Sequence, residues 1–237
     1  MKFSGGDKST FTQKGDNMTD HIKMAAVDID GMFVHSDYTY DVPRFKRLLS
    51  CMKKEGCNFV VASGNQYYQL RDLFPGYYDE LSFVAENGAF VKDHKELVFT
   101  ADMPKETVDL VIDVCREYPE IMNVLCGVKS AYCQRGSVSQ EFFDLTGIYY
   151  HRLKWVDDFK SVNDRILKFA PTVPEEKTYY YYYDMFCERL RGKVEPVTSG
   201  HSYAMDNAAP DVKKAAKYVC PSNEEDGVLV TLEKIFC

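Results

Sequence analysis

Apolar residues along this chain gather in short runs that end on acidic or small polar residues, and stretches with helical spacing separate the runs. The first run, Met24 to Val27, leads into Asp28-Ile29-Asp30-Gly31, which suits a buried parallel strand delivering carboxylates at its C-terminal end. A polar stretch, His35–Asp41, precedes a helix predicted from about Val42 to Glu55. Asp41 can cap it, Pro43 sits in its first turn, and Phe45, Leu48, Leu49 and Met52 make one apolar face. Gly56 ends it. Asn58–Ala62 reads as a second buried strand, closed by Ser63-Gly64-Asn65, and a helix over Gln66–Leu73 stops before Pro75. A third strand, Ser82–Ala85, runs into Glu86-Asn87-Gly88, with Ala89–Val91 beyond. This alternation predicts an α/β fold with a doubly wound, mostly parallel, Rossmann-like sheet. In such sheets ligands sit outside the carboxyl ends of the strands, where Asp28, Asp30 and Ser63 all fall.

From 91 to 201 the pattern changes. Helical stretches (Lys105–Tyr118, Glu175–Arg191) alternate with strand-like ones (Met122–Cys126, Ser130–Gln134, Ile166–Ala170), which predicts an inserted α+β unit with its own core. Within the tyrosine run, the spacing Tyr179, Tyr183, Phe186, Leu190 predicts a packed helix face. The remainder reads as a strand at Ser202–Met205, a turn at Asp206–Pro210, a helix at Asp211–Tyr218 and a last helix at Asp226–Phe236. Residues 1–20 are polar and glycine-containing and read as a flexible, dispensable tail, with Met18 a candidate natural start. The predicted organisation is therefore a tail (1–20), an α/β core (21–90 and 202–237) and an insertion (91–201).

Composition narrows the classes of function. A net charge of -7 and a pI near 5.3 argue against a general nucleic-acid or anionic-membrane binder. No apolar run approaches the roughly 18 residues of a membrane helix. The eight cysteines form no C-x-x-C pair and no zinc-spaced cluster. Their even number admits four disulfides, but scattered reduced thiols in a cytoplasmic protein are the favoured reading. The sequence leaves the oligomeric state open.

The candidate chemistry lies in Asp28-Ile29-Asp30-Gly31. Where a strand ends and the chain turns, two carboxylates can converge on one pocket. Asp28 would attack phosphorus to form an aspartyl-phosphate, and Asp30 would protonate the leaving alkoxide and then deprotonate water. Mg²⁺ held by Asp28 and Asp30 would make the clustered negative charge tolerable. Gly31 lets the backbone come close to phosphate, and Ser63, Gly64 and Asn65 offer a hydroxyl and amides to its oxygens. A D-x-D-G alone is common in surface turns; after MAAV, and with VVASGN on a second apolar run, it becomes specific.

At this point a resemblance becomes definite. DIDGMF resembles the first motif of the haloacid dehalogenase (HAD) superfamily, D-x-D-G-T, and VVASGNQYYQL resembles the second as found in Cof-type sugar phosphatases. VAENGAFV, CGVKSAYC, YYHRLK and KVEPVTSGH resemble the entry and segments of their type II cap. SYAMDNAAPDVKKAAKYV and NEEDGVLVTLEKIF resemble the family's C-terminal end. The resemblance implies a magnesium-dependent phosphatase of small-molecule phosphoesters, with Lys129, Ser130, Tyr132 and His151 as candidate substrate contacts in the cap. His35, His94, His151 and His201 have no convincing catalytic partners and read as surface or cap packing rather than catalysis.

Two departures stand out. Met32 occupies the usual threonine position, so of that residue only the backbone amide is left for phosphate. More seriously, His201 runs directly into Ser202, where the family carries several dozen residues with its third-motif lysine and the fourth motif, G-D-x-x-N-D. Lys193 and Lys213 lie in segments matching the cap and a later helix, so neither replaces that lysine. Three readings follow: a Cof-type phosphatase with impaired activity, a non-catalytic descendant that binds a phosphate ligand or a protein, or the nonfunctional product of a deleted gene.

Overall fold

The computed structural model describes residues 22–173, 179–196 and 220–237. The expected tail, the strand Ser202–Met205, the turn Asp206–Pro210, the helix Asp211–Tyr218 and His201 lie outside the described residues.

The first apolar run forms β1 (Met24–Asp28) and the second forms β2 (Asn58–Ala62), and the two pair in parallel with Asp28 opposite Ala62. Between them runs α1 (Val42–Lys54), whose first turn is closed by the Asp41 carboxylate accepting from Arg44 N at 2.9 Å. Its buried residues are Phe45, Leu48 and Met52, as the spacing predicts. After α2 (Tyr67–Asp72), β3 (Ser82–Ala85) pairs in parallel with β2, setting Val84 opposite Ala62. β4 (Phe90–Asp93) and β5 (Glu96–Thr100) then add antiparallel, giving the order β1-β2-β3-β4-β5. This sheet continues to Thr100, beyond the residue-90 boundary suggested by the sequence.

The second sheet has the order β8-β7-β6-β9, built from β6 (Met122–Gly127), β7 (Ala131–Gln134), β8 (Leu153–Val156) and β9 (Ile166–Thr172). Alternation along β6 sends Val124 and Cys126 into a cluster with Phe142, Phe143 and Trp155. Leu125 points the other way, into a cluster with Val108 and Ile112 of α3 (Lys105–Arg116). Covering both faces explains why Val124, Leu125 and Cys126 form an unbroken apolar run in β6. The first of those clusters is closed by α4 (Gln140–Gly147). The tyrosine run opens α5 (Tyr179–Arg189), but its buried stripe is Tyr182, Met185 and Phe186, continuing to Leu190. Tyr183, expected in that stripe, is only half-buried, and Tyr180 and Tyr181 face solvent.

The first sheet's core is strongly aromatic. Phe33 is 1% exposed and meets Tyr40, Phe45, Phe59 and Phe74 at centroid separations of 5.0 to 5.6 Å. The last helix, α6 (Gly227–Phe236), adds Val228, Leu229 and Phe236 to this core and packs on α1.

The cysteines correct one expectation. Cys51 of α1 and Cys237 after α6 are joined as a disulfide, although reduced thiols were expected throughout. Helix packing brings these two positions together, and a spacing of 186 residues gives no hint of it. Buried Cys57, Cys115, Cys126 and Cys133 remain thiols; burial pushes the last three up to about 12, so they are inert at neutral pH. The Cys51→Ser variant is expected to lose roughly 2–4 kcal/mol of stability relative to the oxidised protein. Denaturant midpoints with and without reductant check this, and an unchanged midpoint would show that the bond contributes nothing.

Candidate active site

Because β1, β2 and β3 run parallel, their carboxyl ends share one edge. Asp28 ends β1, Ser63-Gly64-Asn65 follows β2, and Glu86-Asn87 follows β3. Backbone bonds tie the turns together, Ser63 N donating to Val84 O (3.0 Å) and Glu86 N to Asn65 O (3.1 Å). After Asp28 the chain folds into a tight turn that closes with Val34 N donating to Ile29 O. Gly31 sits in that turn at φ 67°, a conformation that disfavours side chains. Met32 is partly buried against the aromatic core, which accounts for an apolar residue beside the carboxylates.

The two carboxylates are held differently. Asp28 is half-buried; one of its oxygens accepts from Ile29 N at 2.8 Å, and the other takes no hydrogen bond among the described residues. Burial raises its pKa, the Ile29 amide opposes the rise, and the Asp30 charge adds to it. Asp30 has both oxygens engaged, accepting from Tyr38 Oη at 2.8 Å and from Asn65 Nδ2 at 2.7 Å. The Asn65 backbone amide donates to Ser63 Oγ (3.1 Å), so the hydroxyl expected to meet phosphate also shapes its own loop. Gly64 is a close-approach position, since a Cβ there would collide with Asn87 Oδ1. A cleft of about 360 Å³ opens beside Asp30, Gly31 and Tyr38, walled on one side by Ser222, Asn223 and Glu224.

The four candidate substrate contacts are placed unevenly. Ser130 is 1% exposed and donates to Lys129 O, and Tyr132 is buried with its hydroxyl on Asp164. Both are packed into the second lobe rather than presented to a ligand. Lys129 is exposed and reaches Asn163 O at 3.2 Å. His151 is also exposed, with Nδ1 2.9 Å from Asp72 at the end of α2. His35, expected to be surface packing, lies 2.9 Å from the Asp226 carboxylate and joins the turn after β1 to the start of α6.

Sequence reasoning missed Tyr38, whose hydroxyl bonds Asp30, and the pair of Glu86 with Lys168 of β9, whose Nζ lies 2.7 Å from Glu86 Oε2 and donates to Gly64 O at 2.9 Å. Nothing in the stretch His35–Asp41 distinguishes a tyrosine that bonds Asp30 from one that faces water. Glu86 had a signal, since it follows β3 on the edge already marked by Asp28 and Ser63.

Magnesium is the ion implied by the sequence resemblance, and it prefers six oxygens in near-octahedral array. Among the described residues no three His, Cys, Asp or Glu side chains converge. The described donors amount to one open Asp28 oxygen beside an Asp30 already engaged twice. That set does not by itself fit the ion. Nor, among the described residues, is any helix long and apolar enough to cross a membrane.

Comparison with known proteins gives a consistent result. A haloacid dehalogenase-like hydrolase family profile matches residues 25–199 and 197–232. The Escherichia coli (strain K12) 5-amino-6-(5-phospho-D-ribitylamino)uracil phosphatase YbjI is 30% identical over 261 residues, covering 90% of this chain and 96% of that protein. Among solved structures, a Streptococcus mutans UA159 protein superposes with a TM-score of 0.78 at 27% identity, covering 90% of this chain and 98% of its own. A haloacid dehalogenase-like hydrolase from Bacteroides thetaiotaomicron superposes with a TM-score of 0.75 at 20% identity, covering 91% and 100%.

Proposed function

This chain belongs to the haloacid dehalogenase-like hydrolases, among their Cof-type phosphatases, and on that premise we propose that it is built to hydrolyse small phosphoesters through Asp28 and Asp30, with its own turnover impaired. The observation that carries the proposal is the meeting of these two carboxylates with the Ser63–Asn65 loop at one sheet edge. Asp28, with one open oxygen, attacks phosphorus. Asp30, oriented by Tyr38 and Asn65, donates a proton to the leaving alkoxide and then takes one from water. The amides of Gly31, Met32 and Gly64 and the Ser63 hydroxyl receive the phosphate oxygens, while the Ser63 and Asn65 amides, bonded to Val84 O and Ser63 Oγ, hold the loop that presents them. The 91–201 segment, entered through β4 and β5, is the cap over this site, and a cytoplasmic setting belongs to the same proposal. The relative named for a phosphorylated ribityl compound puts phosphorylated sugars and polyols first among substrates.

Impairment has its own support. The alignment to the Escherichia coli phosphatase spans 261 positions, more than the 237 residues of this whole chain, so that protein has residues for which this one has none. The family profile matches in two pieces that meet at 197–199, beside the junction of His201 and Ser202. Magnesium, with Asp28 and Asp30 as ligands, is the ion the family uses, but the described donors fall short of its shell. The same observations favour a second reading, a non-catalytic descendant that retains a phosphate-binding edge.

The test is phosphate release by the purified chain with Mg²⁺ and a panel of sugar and ribityl phosphates. Little or no release is expected. Robust turnover abolished by Asp28→Asn would overturn the impairment while keeping Asp28 as nucleophile, and turnover indifferent to Asp28→Asn would end the assignment altogether.

A further inference from the structure

Lys168 lies on β9, in the second sheet, yet its ammonium leaves that lobe and reaches the first sheet's functional edge. Nζ donates to the Gly64 carbonyl at 2.9 Å and lies 2.7 Å from Glu86 Oε2. The Glu86 side chain is only 2% exposed, and that of Lys168 22%. A carboxylate buried to this degree is tolerated only when paired, and Lys168 is its cation. Burial pushes the Glu86 carboxyl up and the Lys168 charge pulls it back, so the two groups sense each other directly.

The backbone around the pair is constrained as well. Glu86 and Asn87 are consecutive non-glycine residues at φ 54° and 57°, a region side chains disfavour and surrounding contacts must enforce. Glu86 N in turn holds Asn65 O, and the Asn87 side chain fills the space over Gly64. The ammonium therefore touches the loop twice, directly at Gly64 and through Glu86 at Asn65. Asn65 is the residue whose side-chain amide grips Asp30 at 2.7 Å.

From this relay we propose that Lys168 is a positioning residue: it pins the Ser63–Asn65 loop from the opposite lobe and so sets the hydrogen bond that orients Asp30. The function of that bond rests on the reading of Asp30 as acid and base. The pin itself does not. Because Lys168 and the loop belong to different sheets, the alignment of Asp30 holds only while the two lobes face each other.

The experiment reads geometry, so it succeeds or fails independently of turnover. The Asn65 side-chain amide is followed by ¹⁵N–¹H NMR in the full chain, its signals assigned by their loss in Asn65→Ser. In Lys168→Met the two amide protons are expected to move to free-amide positions and lose their exchange protection. Lys168→Arg restores them in part. The Asn123 side-chain amide, bonded to Ile121 O in the second lobe, stays put and reports that the fold is intact. Should Lys168→Met strand the Glu86 charge and unfold the protein, the Glu86→Gln/Lys168→Met pair removes both charges, and the same loss is expected there. Unchanged Asn65 signals in either folded variant would overturn the proposal. Absent phosphatase activity, by contrast, would bear only on the proposed function.

Discussion

Inserting a family-like segment between His201 and Ser202 is expected to raise magnesium-dependent phosphate release by several powers of ten over the unmodified chain. Phosphoryl transfer asks a protein mainly for positioning and for charge that meets the transferring group. Loss of even one well-placed electrostatic contact typically costs about 10²–10³ in rate. On the reading proposed above, the missing stretch would supply the third-motif lysine and the aspartates of the fourth motif, without which the Asp28–Asp30 pair confronts a dianion with like charge. Asp28→Asn in the restored chain should abolish the gain, since Asp28 is the carboxylate that ends β1 with one oxygen free to attack. The check is phosphate release per mole of enzyme, with and without Mg²⁺. A restored, folded chain that remained inactive on phosphorylated sugars and polyols would leave the non-catalytic reading standing.

Replacing Phe33 by alanine is expected to cost about 3–5 kcal/mol of stability, the range for deleting a fully buried aromatic side chain. Phe33 meets four rings at once and is 1% exposed, so neighbours anchored on α1, β2 and the segment after α2 cannot easily collapse into the space. Phe33 also ends the turn that carries Asp30, so the cavity opens directly beneath the candidate site. Phe33→Leu, which keeps most of the volume, should lose much less. Denaturant midpoints at constant slope decide the matter, and a loss below about 1 kcal/mol for alanine would show that the cluster repacks.

The elements whose apolar pattern repeats locally were legible in the sequence, although β1, expected to be a buried strand, is buried only at Val27, with Met24 and Ala26 exposed where β1 ends the described sheet. Met24–Val27 and Asn58–Val61 could be read as parallel neighbours because each is an apolar run closed by small polar or acidic residues, with an amphipathic helix between. The same logic marked Asp28, Asp30 and the Ser63–Asn65 loop, since a parallel sheet necessarily gathers its carboxyl ends on one edge. Where signals were short, the reading slipped: α4 and β8 were missed, and the buried stripe of α5 was misjudged because five consecutive tyrosines erase the contrast that periodicity needs.

What only the tertiary structure decided depends on contacts between distant segments. The bond between Cys51 and Cys237 follows from α1 lying against α6, and the inward packing of Ser130 and Tyr132 follows from how the second lobe closes around Asp164. The grip of Tyr38 and Asn65 on Asp30, and that of Lys168 on Gly64 and Glu86, join residues whose own neighbourhoods in the sequence look ordinary. A carboxylate, once placed at a strand end, is announced by the local pattern. Which donor reaches it is set by the relative placement of whole elements, and a linear pattern does not encode that placement.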